Sequence, residues 1–184
     1  MANFTKQAIK ISFMNLLNEK PFNKISVRDI VESCGINRNS FYYHFRDIPA
    51  LMEEIIVEET NALIEQYPTM DSLDEFIDAF YAVCMKNKKA LLHIFNSVNR
   101  DLYEQHLMRL CREVVSRYTE QAFSEIGMDA EQKRLSIETY KCMLFGFCID
   151  WMTNGLKEEY IEDLHAICNT LNEFYHVMNN YKNI

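Results

Sequence analysis

The chain has 184 residues and a formal net charge of −8. No apolar run is long enough to span a bilayer, and Lys6, Lys10 and polar residues spread through the first nineteen positions are unlike a signal peptide. Six cysteines (Cys34, Cys84, Cys111, Cys142, Cys148 and Cys168) contain no C-x-x-C pair, so the expectation is a cytoplasmic protein whose cysteines are buried small apolar residues.

The charge is unevenly divided. Residues 1–50 hold seven Lys/Arg against four Asp/Glu, a balance of +3, and residues 51–184 hold twelve against twenty-three, a balance of −11. A basic first part suits contact with a polyanion. Gly and Pro are rare, no useful alternating strand pattern appears, and the apolar periodicities are long and helical, so the predicted fold is all-α.

In chain order, the first helix is expected from Thr5 to about Asn18, burying Ile9, Phe13, Leu16 and Leu17, with Pro21 and Phe22 ending it. Ser26 followed three residues later by Asp29 marks the next helix start, and Gly35 supplies a residue free to take positive φ for a sharp reversal. Asn37 then caps a second short helix. Val27, Ile30 and Val31 face Ile36, Phe41 and Phe45 across this turn. Arg38, Asn39, Ser40, Tyr42, Tyr43 and His44 are left facing outwards, a surface of donors and aromatic hydroxyls with no acid in it. An apolar hinge holding a short helix with such a face is what a DNA-reading helix-turn-helix needs; a helical corner without DNA is the bland alternative.

Asp47 caps a fourth helix over about 48–66, with Pro49 tolerated in its first turn and Leu51, Ile55, Ile56 and Leu63 on its apolar side. Leu73, Phe76, Ile77, Phe80 and Cys84 mark a helix ending near Asn87, and Leu91, Leu92, Ile94 and Phe95 a short one. Leu107, Leu110, Val114, Tyr118 and Ala122 mark a long one stopping at Gly127. Two seams follow. Ile137, Tyr140, Leu144, Phe147 and Trp151 recur at helical spacing over about 131–154, and Ile161, Leu164, Cys168, Leu171, Tyr175 and Met178 do so over about 158–182. Their spacing is that of a helix bundle, so they are predicted to form a two-fold, four-helix dimer interface, with closure of the chain's own core as the alternative.

The turn, its caps and the closing F-Y-Y-H-F resemble the DNA-binding domain of TetR-type bacterial repressors. The segment from Phe145 to Leu156, with Gly146, Trp151 and Gly155, is similar to the C-terminal region of a subset of that family. The resemblance implies about nine helices, with a DNA-binding domain over residues 1–63 and an effector-binding and dimerisation domain over 64–184. It further implies a homodimer that represses transcription and leaves a palindromic double-stranded operator when a small ligand enters the second domain. By position, Ser26 and Arg28 fall where the family meets phosphate or the groove edge, Arg38, Asn39, Ser40 and Tyr43 at base-reading positions, and Tyr42 and His44 at phosphate positions. The family usually opens the next helix with a phosphate-touching lysine; Ile48 stands there, which shifts the expected backbone contact to Lys24 and Arg46.

Phe76, Phe80, Cys84, His93, Tyr103, Leu107, Cys111 and Phe145 combine soft, apolar and aromatic groups with few polar handles, the make-up of a pocket for an apolar or aromatic effector. The same residues are also what any core contains. A metal or thiol sensor is the rival reading, through His165 with Cys168 or His106 with Cys111, though two ligands per helix fall short of a usual zinc set. No nucleophile elbow, phosphate loop or paired-carboxylate motif points to an enzyme, and no cofactor is expected. TetR-type activators and protein-binding members remain alternatives to ligand-released repression.

Overall fold

A computed structural model describes residues 2–68, 73–97, 100–125 and 127–169. They are helical and, among the described residues, hold no strand: α1 (Ala2–Glu19), a 3-10 turn (Phe22–Lys24), α2 (Val27–Cys34), α3 (Arg38–His44), α4 (Ile48–Gln66), α5 (Leu73–Lys86), α6 (Lys88–Phe95), α7 (Arg100–Glu125) and α8 (Ala130–Thr153). A ninth helix, α9, begins at residue 160 and is described to residue 169. Of the expected second seam, Leu171, Tyr175 and Met178 lie outside the described residues.

By contact the chain divides into two compact units, each drawn from two stretches. The first joins residues 1–61 to 86–106 and the second 62–85 to 107–184, so α4 and α7 each run from one unit into the other.

In the first unit α1 is the hub. Ile9, Phe13 and Leu17 are buried, Phe13 meets Phe22 edge-on, and α1 packs on α2, α3 and α6. The α6 helix is anchored by its side chain as well as its apolar face, with His93 Nδ1 lying 2.8 Å from the Leu17 carbonyl oxygen at the end of α1. A lysine is buried with the core. Lys10 is 6% exposed, and its amine meets Glu58 at 2.6 Å and Glu54 as well, tying α1 to α4. A buried ammonium is tolerable only when paired and hydrogen-bonded in this way.

The second unit is built on Ile64, Phe76, Ile77, Tyr118 and Leu164, with Leu63, Leu73, Phe80, Val114, Leu144, Phe147, Ile161 and Cys168 packed round them. The Tyr118 hydroxyl donates to the Tyr67 carbonyl, so the polar tip of a buried ring is satisfied where α4 ends. The turn from α8 to α9 uses Gly155 at φ 77° and Leu156 at φ 53°. A leucine with positive φ is strained. Here the strained residue is fully buried, and the Trp151 indole below it donates to the Lys157 carbonyl at 2.8 Å while stacking on Tyr81.

Candidate nucleic-acid interface

The local chemistry that shapes the helix-turn-helix is capping. Ser26 and Asp29 form a reciprocal box at the start of α2: the Ser26 hydroxyl accepts from the Asp29 amide at 3.2 Å, and the Asp29 carboxylate accepts from the Ser26 amide at 2.7 Å and its hydroxyl at 2.6 Å. Those bonds, with the Lys20 ammonium, hold the Asp29 carboxyl down at about 2. At the other end of α2 Gly35 takes φ 68°, and the Ile36 amide returns to the Val31 carbonyl at 3.0 Å, which closes the helix and turns the chain. Asn37 then caps α3, accepting from the Ser40 amide at 2.9 Å. Asp47 caps α4 through the Ala50 amide at 2.8 Å, and this bond before the neighbouring Arg46 lowers its pKa.

The apolar side of the motif is closed as expected. Ile30, Val31, Phe41 and Phe45 are buried, and the Phe41 and Phe45 rings lie 5.9 Å apart. Val27 and Ile36 are only half-buried. With Phe41 held inwards, the opposite side of α3 must face out. Tyr43 is 79% exposed and Tyr42 50%, while Arg38 and Asn39 are exposed in the first turn. The Tyr43 ring meets His44 edge-on at 4.9 Å, and the Tyr42 ring meets Phe41 edge-on at 5.4 Å. Both tyrosine rings stay exposed beside these contacts.

Several of the anticipated contact residues are occupied within the chain. The Ser26 hydroxyl belongs to the α2 cap, and the Ser40 hydroxyl, half-buried, turns back to Asn37 at 3.2 Å. Arg28 donates through Nε to Glu32 at 2.7 Å, and Arg46 through Nε to Asp47 at 2.9 Å. Lys24 is exposed at the end of the 3-10 turn, and Ile48 opens α4 half-buried. The role of Lys10 was not anticipated; the signal available for it was Lys6 and Lys10 on one helix matching Glu54 and Glu58 on another, each pair spaced by four.

The residues expected to line an effector pocket are split between the units. His93 and Tyr103 belong to the first, where His93 holds the Leu17 carbonyl; Phe76, Phe80, Cys84, Leu107, Cys111 and Phe145 belong to the second. There Phe76 stacks on Phe80 and leans on Tyr118, and Cys84, Leu107 and Cys111 are buried. The Cys111 thiol is raised by its hydrogen bond with Cys148 and by burial, and burial raises Cys84 too.

Along the two seams, Trp151 and Leu164 are buried within the chain, and Leu144, Phe147, Ile161 and Cys168 pack on the second unit's own core. Ile137 and Tyr140 are half-buried, Tyr140 stacked on Phe123. A different side of α8 is open: Leu135, Thr139, Cys142, Met143 and Gly146 are exposed. Of the two suggested metal pairs, His106 Nδ1 lies 3.2 Å from Glu53, and His165 lies between Asp74 and Asp78; burial, then Asp74, pushes the Cys168 thiol up to about 11. Among the described residues no three His, Cys, Asp or Glu side chains are placed to hold a metal ion, and no helix is long and apolar enough to cross a membrane.

The chain matches two family models, "Bacterial regulatory proteins, tetR family" over residues 14–55 and "Transcriptional regulator C-terminal region" over 71–173. No curated protein matches it in sequence. Among solved structures it is similar to the dihydroxyacetone kinase operon activator DhaS, with TM-score 0.72 and 16% identity over 91% of this chain and 93% of that one. It is also similar to GusR of Salmonella enterica, with TM-score 0.58 and 18% identity over 91% and 94%. A third is NalD, the secondary repressor of the MexAB-OprM multidrug efflux pump in Pseudomonas aeruginosa, with TM-score 0.56 and 17% identity over 96% of each chain. At such identities these likenesses concern the fold. The two family models together span both ends of the helix-turn-helix and most of the remainder, and the chain belongs to the tetR family of bacterial regulatory proteins.

Proposed function

We propose that this chain is a cytoplasmic, homodimeric repressor that reads a palindromic operator through α3 and leaves it when a small apolar or aromatic molecule binds the second domain. The reading assigns DNA binding to residues 1–63, and effector binding and dimerisation to residues 64–184. The observation that carries it is the outward side of α3, where Arg38, Asn39, Tyr42 and Tyr43 are exposed in the basic part of an otherwise acidic chain. Arg38, Asn39, Ser40 and Tyr43 are assigned to base edges, Ser26 and Arg28 to phosphate or the groove edge, and Lys24, Tyr42, His44 and Arg46 to phosphates.

Dimerisation is assigned to α8 and α9. The support is the run of Leu135, Met143 and Gly146 on the open side of α8, where nothing lies within 4 Å of a Cβ added at Gly146, so a partner helix has room to approach closely. Effector release requires a ligand that binds better to the conformation in which α4 holds α3 off its half-site, because equal affinity for both conformations shifts nothing. Linkage then makes operator DNA weaken ligand binding by the same factor.

The test is selection from a random duplex pool, followed by binding of variants to the recovered site. A palindrome is expected; Arg38→Ala should relax preference at particular base pairs, whereas Tyr42→Phe and His44→Ala should weaken binding to all sequences alike. Operator affinity unchanged in all three variants would remove α3 as the reader. A reporter carrying the recovered site fixes the sign of regulation, with repression expected.

A further inference from the structure

Between Lys20 and Arg46 the chain has five cationic side chains besides His44, namely Lys20, Lys24, Arg28, Arg38 and Arg46. Three are engaged by acids of the same stretch: Lys20 with Asp29 at 3.1 Å, Arg28 with Glu32 at 2.7 Å and Arg46 with Asp47 at 2.9 Å. Lys24 and Arg38 stand outside any such pair among the described residues. The Lys20 pair is part of the α2 cap and is a structural bond, since Asp29 also holds the Ser26 amide and hydroxyl. The two arginine pairs are of another kind. Arg28 is 77% exposed and Arg46 86%, and neither pair joins different elements of the core.

We infer that Glu32 and Asp47 are competitors of DNA phosphate for Arg28 and Arg46, so that backbone affinity at this surface is set by an exchange of carboxylate for phosphate. This rests on the reading of α3 and its flanks as a DNA interface. An arginine that arrives paired gives less than a free one: its bond to the acid is given up, and the freed carboxylate, left beside the phosphates, retains a cation that binding would otherwise release. Both pairs are exposed and therefore weak enough to exchange. The consequence is selectivity. Non-specific affinity, which comes from phosphate contact, is held down, and a larger share of operator affinity falls to Arg38, Asn39 and Tyr43 of α3. Asp47 serves two purposes at once, because its other oxygen caps α4 at the Ala50 amide. An asparagine there keeps the cap and loses only the charge.

The experiment measures binding of the full chain to a short mixed-sequence duplex by fluorescence anisotropy over a range of NaCl concentrations, for wild type, Glu32→Gln, Asp47→Asn and the double variant. Each single variant is expected to bind about two- to fivefold more tightly at low salt, the worth of one exposed ion pair. The double variant is expected to steepen the slope of log K against log salt by up to about 1.8 per protomer, or 0.9 for each phosphate gained. A second pair of proteins separates release of the arginine from simple removal of a negative charge. In an Arg28→Met background Glu32→Gln should gain only what removing a negative charge from beside the phosphates gives, clearly less than in the Arg28 protein, and a gain of the same size there would overturn the inference. Wild type that binds DNA with variants of unchanged affinity and slope would also overturn it while leaving the DNA-binding reading intact. Wild type that binds neither this duplex nor any selected site would refute both.

Discussion

His165 offers a test of the second unit that depends on protonation. Its Nδ1 lies 3.1 Å from Asp74 Oδ1 and its Nε2 2.9 Å from Asp78 Oδ1, so one imidazole on α9 spans two carboxylates one turn apart on α5. A neutral imidazole has a single N–H, and its other nitrogen would point a lone pair at a carboxylate oxygen. Both contacts are therefore satisfied only by the imidazolium. Burial pulls the pKa of His165 down, but Asp78 and Asp74 outweigh it, and the net shift is upwards from 6.5. The charged groups facing the ring from α5 are these two aspartates, and on its own helix the Cys168 thiol lies near Asp74. A charge-assisted hydrogen bond contributes up to about 3 kcal/mol when dry. With Asp74 and Asp78 63% and 69% exposed, roughly 0.5–1 kcal/mol per contact is the appropriate figure, or about 1–2 kcal/mol for the pair. Because the folded-state pKa is raised, this stabilisation is complete below about pH 6.5 and is lost as pH rises through the folded value. The assay is an NMR titration of the imidazole, assigned with His165→Gln, alongside urea unfolding of wild type and His165→Gln at pH 6 and pH 9. The expected result is a midpoint above 6.5 that falls in Asp78→Asn, and a stability difference between the two proteins that shrinks at pH 9. A midpoint at or below 6.5, unchanged in Asp78→Asn, would refute the reasoning.

Two further outcomes follow from the structure. Gly35→Ala should destabilise the helix-turn-helix by about 1–2 kcal/mol, the cost of left-handed backbone for an L-residue, since nothing lies within 4 Å of the added Cβ and φ stays at 68°; Gly35→Asn should lose less, and equal thermal unfolding of the alanine variant and wild type would contradict this. Leu135→Glu with Met143→Glu places charges on the open side of α8 and should convert a dimer to monomer in sedimentation without unfolding the chain, whereas a dimer that survives would move the interface elsewhere.

The helix-turn-helix could be read from residues alone because its signals are local. Ser26 with Asp29, Asn37 with Ser40, Asp47 with Ala50 and Gly35 at its turn all act within about one helical turn, so spacing along the chain is spacing in space. The apolar residues that hold its two helices together, Ile30, Val31, Phe41 and Phe45, are likewise separated by a single short turn. The all-α character follows from periodicity of the same range.

What could not be read are the partnerships between residues far apart in sequence. Lys10 looked like one polar residue among several on α1, and only the arrival of α4 makes it a buried ammonium between Glu54 and Glu58. His93, a candidate effector contact, meets through Nδ1 the Leu17 carbonyl at the end of α1, 76 positions earlier. His165 was weighed as a metal ligand with Cys168; the neighbours it meets are Asp74 and Asp78, some ninety positions earlier. The seams of α8 and α9 show the limit most clearly. An apolar stripe states that a face leaves water, since hydrophobic burial is non-directional and is satisfied by any apolar surface that arrives. Which surface arrives is settled by packing, and here Trp151 and Leu164 are covered by the chain's own helices while Leu135 and Met143 are left open.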